Sequence, residues 1–181
     1  MRKRTNIRNL VFAGLLAAMT TAATLLIVIP TPTKGFINLG DSFVNIGAWL
    51  MGPAYGAAAA GIGSSLADLI AGYSIYAPAT FIIKALMAAV SFKLFAAVRK
   101  TGRFKTAAVL SALAAETVMI LGYGIYEAVI YGSVPVALSG VASNAVQAAG
   151  NLAASVIFYT AFAGKVMPAG LGKINKQRNK I

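Results

Sequence analysis

The sequence predicts an all-α, polytopic membrane protein, and three observations carry that prediction. Hydrophobic residues make up 59% of the 181 residues and charged residues 11%, less than half the roughly 25% of a typical soluble domain. Mean hydropathy is +0.77. Long apolar runs alternate with breaks rich in glycine and proline, without the alternating pattern of a membrane barrel strand. A soluble globule of this size could not cover its surface with so few charges. A disordered chain and a disulfide scaffold are excluded on the same ground. Cysteine and histidine are both absent, which removes disulfides, zinc-finger chemistry, cysteine nucleophiles and histidine acid–base catalysis. No metal and no cofactor is expected.

Six spans are predicted within one domain, 1–181. The first runs from about residue 10 to 29. It follows a basic amino end that resembles a signal peptide, but its apolar run is too long for a cleaved one. Pro30-Thr31-Pro32-Thr33 stops it. The second covers about 39–51 and ends at Gly52-Pro53, where proline suits the first turn of the next helix. The third covers 53–71 and ends at Gly72. The fourth begins beside Pro78 and runs to 98. The fifth covers 106–129 and the sixth 136–164, separated by Gly132, Ser133 and Pro135.

The net charge of +12 would suit nucleic acid if it were spread over one face. It is instead clustered beside apolar runs: Arg2, Lys3, Arg4 and Arg8; then Arg99, Lys100, Arg103 and Lys105; then Lys165, Lys173, Lys176, Arg178 and Lys180. Six spans bring all three clusters to one side, and the opposite connections hold only Lys34. By the positive-inside rule both termini are cytoplasmic, and the basic ends lie against anionic lipid of the bilayer rather than nucleic acid.

Small residues recur every four positions at Gly52, Gly56, Ala60, Ser64, Asp68 and Gly72. Such a stripe lets helix backbones approach closely, and internal packing is the plain reading of it. Ala13 and Ala17 form a shorter pattern of the same kind, as do Ala18 and Ala22.

Ionisable groups within spans are costly, and here they share a level. At 1.5 Å per residue, Lys84 sits about 9 Å in from the outer end of the fourth span. Asp41, Asp68 and Glu127 fall in the outer part and Glu116 near the midplane. Asn144, Gln147 and Asn151 share one face of the sixth span. Tyr123 and Tyr126 lie at a similar level, and Asn38, Tyr73 and Tyr76 sit in the outer connections. Together these outline a polar pocket open to the exterior, fit for a small, flat, polar molecule. A plainer reading stands beside it. Lys84 would pair with Asp68 or Glu127, the amide stripe would join helices, Asp41 would cap a helix, and Trp49 would anchor at the interface.

No P-loop, no G-x-S-x-G and no H-E-x-x-H motif is present, so neither ATP hydrolysis nor a familiar hydrolytic site is predicted. An enzyme is not expected. A pocket without an energy source points to a binding subunit driven by other chains.

Gly35-Phe36-Ile37-Asn38-Leu39-Gly40-Asp41, Gly52-Pro53-Ala54-Tyr55-Gly56, Ala67-Asp68 and Tyr76-Ala77-Pro78-Ala79-Thr80 with Lys84 resemble the substrate-binding S component of energy-coupling factor (ECF) vitamin transporters. The similarity is to the riboflavin-type branch, with its hydroxymethylpyrimidine and pyridoxine-like members, and extends over nearly the whole chain. The resemblance implies capture of a vitamin or vitamin precursor from outside a bacterial plasma membrane. A membrane coupling protein and two cytoplasmic ATPases would drive its release inside. It implies substrate contacts in the region of Asn38, Lys84, Tyr123, Glu127, Asn144 and Gln147. It also implies a partner contact through an A-x-x-x-A motif, matched by Ala13 and Ala17. A small heterocycle is favoured over riboflavin. A scaffold subunit and a solitary proton-coupled carrier using Glu116 and Glu127 are the competing readings.

Overall fold

The computed structural model describes the backbone of residues 7–178, with side chains as far as Ala161. The basic residues at 2–4 and all side chains from 162 onward, including those of the later basic residues and the end of the sixth predicted span, lie outside what is described. The elements are α1 (Ile7–Leu26), a small hairpin of β1 (Ile29–Pro30) and β2 (Phe36–Ile37), α2 (Gly40–Ile70), α3 (Ala77–Arg99), α4 (Phe104–Tyr131) and α5 (Val134–Arg178). Helix α1 stops a few residues before the predicted end of the first span. Ile27, Val28 and Ile29 are β-branched, and Ile29 precedes proline, which disfavours the helical region for it. The hairpin pairs Ile29 with Ile37 and Pro30 with Phe36.

The α2 segment consists of two helical limbs joined at a reversal. Gly52 adopts φ 82° and ψ −176°, a region essentially closed to side chains. A Cβ on Gly56 would lie 2.9 Å from the Cα of Ala48, whereas eight residues of straight helix span about 12 Å. The limbs on either side of Gly52-Pro53 therefore fold back on each other. The break predicted from the sequence is present, and the second and third predicted spans are the two limbs of α2.

Helix α1 packs on α2, α2 on α3, α3 on α4 and α4 on α5, and α5 returns to α2. Among the described residues, four helices are long and apolar enough to cross a membrane: α1, α3, α4 and the Val134–Ala161 part of α5. Large apolar side chains point outward, with Ile7, Leu26, Ile82, Ile125 and Val129 all well exposed, while Ala48, Ala67, Ala88, Ala107, Ala108, Ala112 and Ala115 are buried. This is the pattern expected where lipid, not water, surrounds the bundle and small residues let helices touch. The predicted stripe behaves accordingly. Gly56, Ala60, Ser64 and Asp68 are buried and Gly72 is exposed.

Alternating helix directions sort the connections into two ends. The hairpin segment, the 71–76 turn and Gly132-Ser133 lie at one end. The Gly52 reversal and the basic 100–103 turn lie at the other.

Candidate functional site

A cleft opens at the hairpin end. Its walls are Thr31, Gly35, Phe36 and Asn38 from the hairpin segment, Asp68 from α2, Tyr73 and Tyr76 from the turn, Thr80 from α3, Tyr123 and Glu127 from α4, and Asn144 and Gln147 from α5. Measured out to its open mouth, the cleft has a volume of about 390 Å³.

The lid is the hairpin. The hydroxyls of Tyr76 and Tyr131 both donate to the Thr33 carbonyl, Tyr131 at 2.6 Å. Lys34 turns the tip in the left-handed region, with φ 56°. The Tyr76 hydroxyl also lies 3.2 Å from Glu127 Oε1. Thr80 and Tyr123 share a hydroxyl hydrogen bond of 2.8 Å. Glu127 is buried against α5, where a Cβ on Gly140 would overlap its carboxylate.

Beneath the cleft the polar groups bond to one another. Gln147 Oε1 accepts from the Asn38 backbone N–H at 2.9 Å and from Asn38 Nδ2 at 3.2 Å. Gln147 Nε2 donates to Asp41 Oδ2 at 2.6 Å. Lys84 Nζ donates to Asp41 Oδ1, forming an ion pair that is almost completely buried. Asn151 Nδ2 donates to the Asn38 carbonyl at 2.8 Å, and Asn151 Oδ1 accepts from the Ser42 N–H and hydroxyl, each at 2.9 Å. Deeper still, Asn45 Nδ2 donates to Glu116 Oε1 at 3.3 Å. Ser91 Oγ donates to Asn45 Oδ1 at 2.8 Å, and Trp49 Nε1 bonds to Ser91 and Ser111, each at 3.0 Å.

Five of the six expected substrate contacts thus line one cleft: Asn38, Tyr123, Glu127, Asn144 and Gln147. Lys84 does not line it. It lies below, 5.3 Å from the centre of the Tyr123 ring, and its partner is Asp41 rather than the expected Asp68 or Glu127. Asp41 does not cap its helix. Asn38 Oδ1 and Asn151 Oδ1 take the free N–H groups of Gly40 and Ser42, which relieves Asp41 of that role. Trp49 is 1% exposed and stacks on Phe95 at 5.2 Å, so it neither anchors at an interface nor faces the cleft. Ala13 and Ala17 are buried against α2, where a Cβ on Gly63 would overlap the Ala17 carbonyl. The small residues on the open side of α1 are Gly14, Ala18 and Ala22.

Sequence reasoning left Asp68 and Thr80 out of the contact set. Asp68 is one of the acids that outline the expected outer pocket, where it stands as a partner for Lys84, and Thr80 carries no comparable signal.

A family model described as ECF-type riboflavin transporter, S component, matches residues 4–164. A curated relative from Pyrococcus woesei, described as an uncharacterized protein in gap 3′ region, is 36% identical over 113 residues, which is 62% of this chain and 73% of the relative. A solved structure of the S component of a bacterial ECF transporter superposes with a TM-score of 0.68 at 16% identity. The match covers 90% of this chain and 99% of the other, and at that identity it is a likeness of fold. With nearly the whole chain matched and the same helical architecture on the page, the protein belongs to the ECF-type riboflavin transporter S component family, multi-pass cell-membrane proteins of vitamin uptake rather than enzymes.

Proposed function

We propose that this chain captures a small heterocyclic vitamin or precursor from outside the cell, hydroxymethylpyrimidine or pyridoxine-like in kind, and passes it to an ATP-driven ECF module. The polar cleft at the end opposite the basic turn carries this reading. Positive charge marks the cytoplasmic side, so the cleft faces outward, both termini face inward, and the two limbs of α2 complete six spans. The aromatic side chains of Phe36, Tyr73, Tyr76 and Tyr123 around the cleft suit a flat ring, and riboflavin is the next choice.

On this reading, the coupling protein docks on α1, which among the described residues packs on α2. Ala13 and Ala17 shape that helix from within. Gly14, Ala18 and Ala22 form the side that a partner helix could approach closely. Ala18→Leu should abolish co-purification of the coupling protein and ATPases while leaving ligand binding intact.

The deciding experiment is calorimetry on the purified chain, without ATP, against hydroxymethylpyrimidine, pyridoxine, riboflavin, thiamine and pantothenate. Tight binding of one small ring is expected. Riboflavin binding alone would move the substrate to the flavin. Silence across the panel would remove the capture reading and favour a scaffold.

A further inference from the structure

We propose that Asn151, which does not line the cleft, positions the cleft's hairpin wall from behind and so sets how long a captured ligand stays. The effect on the ligand rests on the capture reading above, whereas the positioning stands on the hydrogen bonds alone.

The hairpin is too small to hold its own place. It pairs Ile29 with Ile37 and Pro30 with Phe36, and Pro30 has no N–H to give to the ladder. Even a longer two-stranded hairpin is marginal by itself. Yet this segment supplies Thr31, Gly35, Phe36 and Asn38 to the cleft, so its position comes from its neighbours. At the tip, the Tyr76 and Tyr131 hydroxyls hold the Thr33 carbonyl. At the root, the holding groups come from α5.

The chain passes from hairpin to α2 at Asn38-Leu39-Gly40. Leu39 stands at the cap position and makes no side-chain cap, although the N–H groups of a first helical turn need acceptors when buried. Asn38 Oδ1 takes the Gly40 N–H. Asn151 Oδ1 takes the Ser42 N–H and hydroxyl, each at 2.9 Å, and so caps α2 from another helix. The other half of the same amide, Nδ2, donates to the Asn38 carbonyl at 2.8 Å and to the Gln147 carbonyl at 3.0 Å. One side chain thus bonds the backbone on both sides of Leu39. Gln147 bonds that backbone on the hairpin side, through the Asn38 N–H, and sends its Nε2 to the Asp41 side chain. Asn151 is 0% exposed, and both its donors and both its acceptor sites are filled. The Ser42 bonds alone would join α5 to α2. The bond to the Asn38 carbonyl adds the hairpin.

Ser155, one turn further along α5, gives the contrast. Its hydroxyl donates to the Asn151 carbonyl at 2.7 Å and accepts from Asn45 Nδ2 at 3.4 Å. It is as deeply buried as Asn151, but its bonds join helices below the root of the hairpin.

The test compares Asn151→Leu, which is similar in size, with Ser155→Ala, each in the full chain in detergent. Amide hydrogen exchange followed by mass spectrometry reads the opening of the backbone over residues 29–42. Stopped-flow reads the dissociation of hydroxymethylpyrimidine, or of riboflavin if calorimetry selects it. Asn151→Leu should raise exchange over 29–42 and speed dissociation roughly tenfold, the worth of one or two neutral hydrogen bonds. Ser155→Ala should lower thermal stability and leave both readouts near those of the unaltered chain. Two variants that behave alike, or a change in one readout of Asn151→Leu without the other, would overturn the proposal. If no ring compound binds the unaltered chain, the capture reading falls, and exchange over 29–42 alone decides the positioning. Should Asn151→Leu fail to fold, Asn151→Ser takes its place with the same expectations, since serine stays polar but is too short to reach both Asn38 and Ser42.

Discussion

Two polar layers lie one beneath the other in this bundle and settle their hydrogen bonds differently. In the lower layer Lys84, Asp41, Gln147, Asn151 and Ser42 bond to one another, and Trp49 closes the series on Ser91 and Ser111. In the upper layer, around the cleft, Asp68 and Glu127 keep oxygens without partners. The contrast separates two uses of polarity inside a membrane. Groups that neutralise one another hold helices together. Groups left incomplete in a cavity would, on the proposed reading, receive a guest. Glu116, with one oxygen bonded to Asn45 and the other unpartnered, lies at the foot of the lower layer and belongs fully to neither.

The largest expected effect is in the lower layer. Lys84→Ala leaves the Asp41 carboxylate buried without its cation, and removing one member of a buried pair costs about 3–5 kcal/mol. Thermal unfolding in detergent should show a large loss of stability for Lys84→Ala and a smaller one for the double variant Lys84→Met with Asp41→Leu. Equal losses would show that the pair does not act as a unit.

Next comes the seam that supports both layers. Gly63→Leu would drive a side chain into the Ala17 carbonyl, and overpacking of this kind costs roughly 1–3 kcal/mol. Lower thermal stability is expected, with the ligand affinity of the surviving folded fraction little changed.

Asn144 lines the cleft and is only partly buried. Asn144→Ala should leave stability within about 0.5 kcal/mol, as for most surface changes. It should weaken ligand binding by about fivefold, the worth of one neutral hydrogen bond near 1 kcal/mol. A stability loss without a binding loss would return Asn144 to the helix-joining layer.

The smallest effect is at the lid. Tyr131→Phe removes one of two hydroxyls held by the Thr33 carbonyl. Faster ligand association and dissociation in stopped-flow measurements, with affinity changed by only a few-fold, is the expected signature.

Much of this architecture was legible beforehand because it depends on local chemistry. Gly52-Pro53 announced the reversal, since few residues other than glycine accept its backbone geometry and proline starts the following limb. The i, i+3, i+7 spacing of Asn144, Gln147 and Asn151 put three amides on one face, and that face does turn inward. Partner choice was not legible. Lys84 had Asp68 and Glu127 within plausible reach along the chain, but the packing of α2 against α3 delivers Asp41.

Composition and helical period alone determined that the chain is a bundle of apolar helices, where it breaks, and at which end its polar groups gather. Only the tertiary structure decided which helix face is inside, because lipid and protein interior are equally apolar and hydropathy cannot tell them apart. That is why Ala13, Ala17 and Trp49 turned inward against expectation. The same ambiguity left open whether Asp68 pairs with Lys84 or faces the cleft, which depends on how four helices and a hairpin meet.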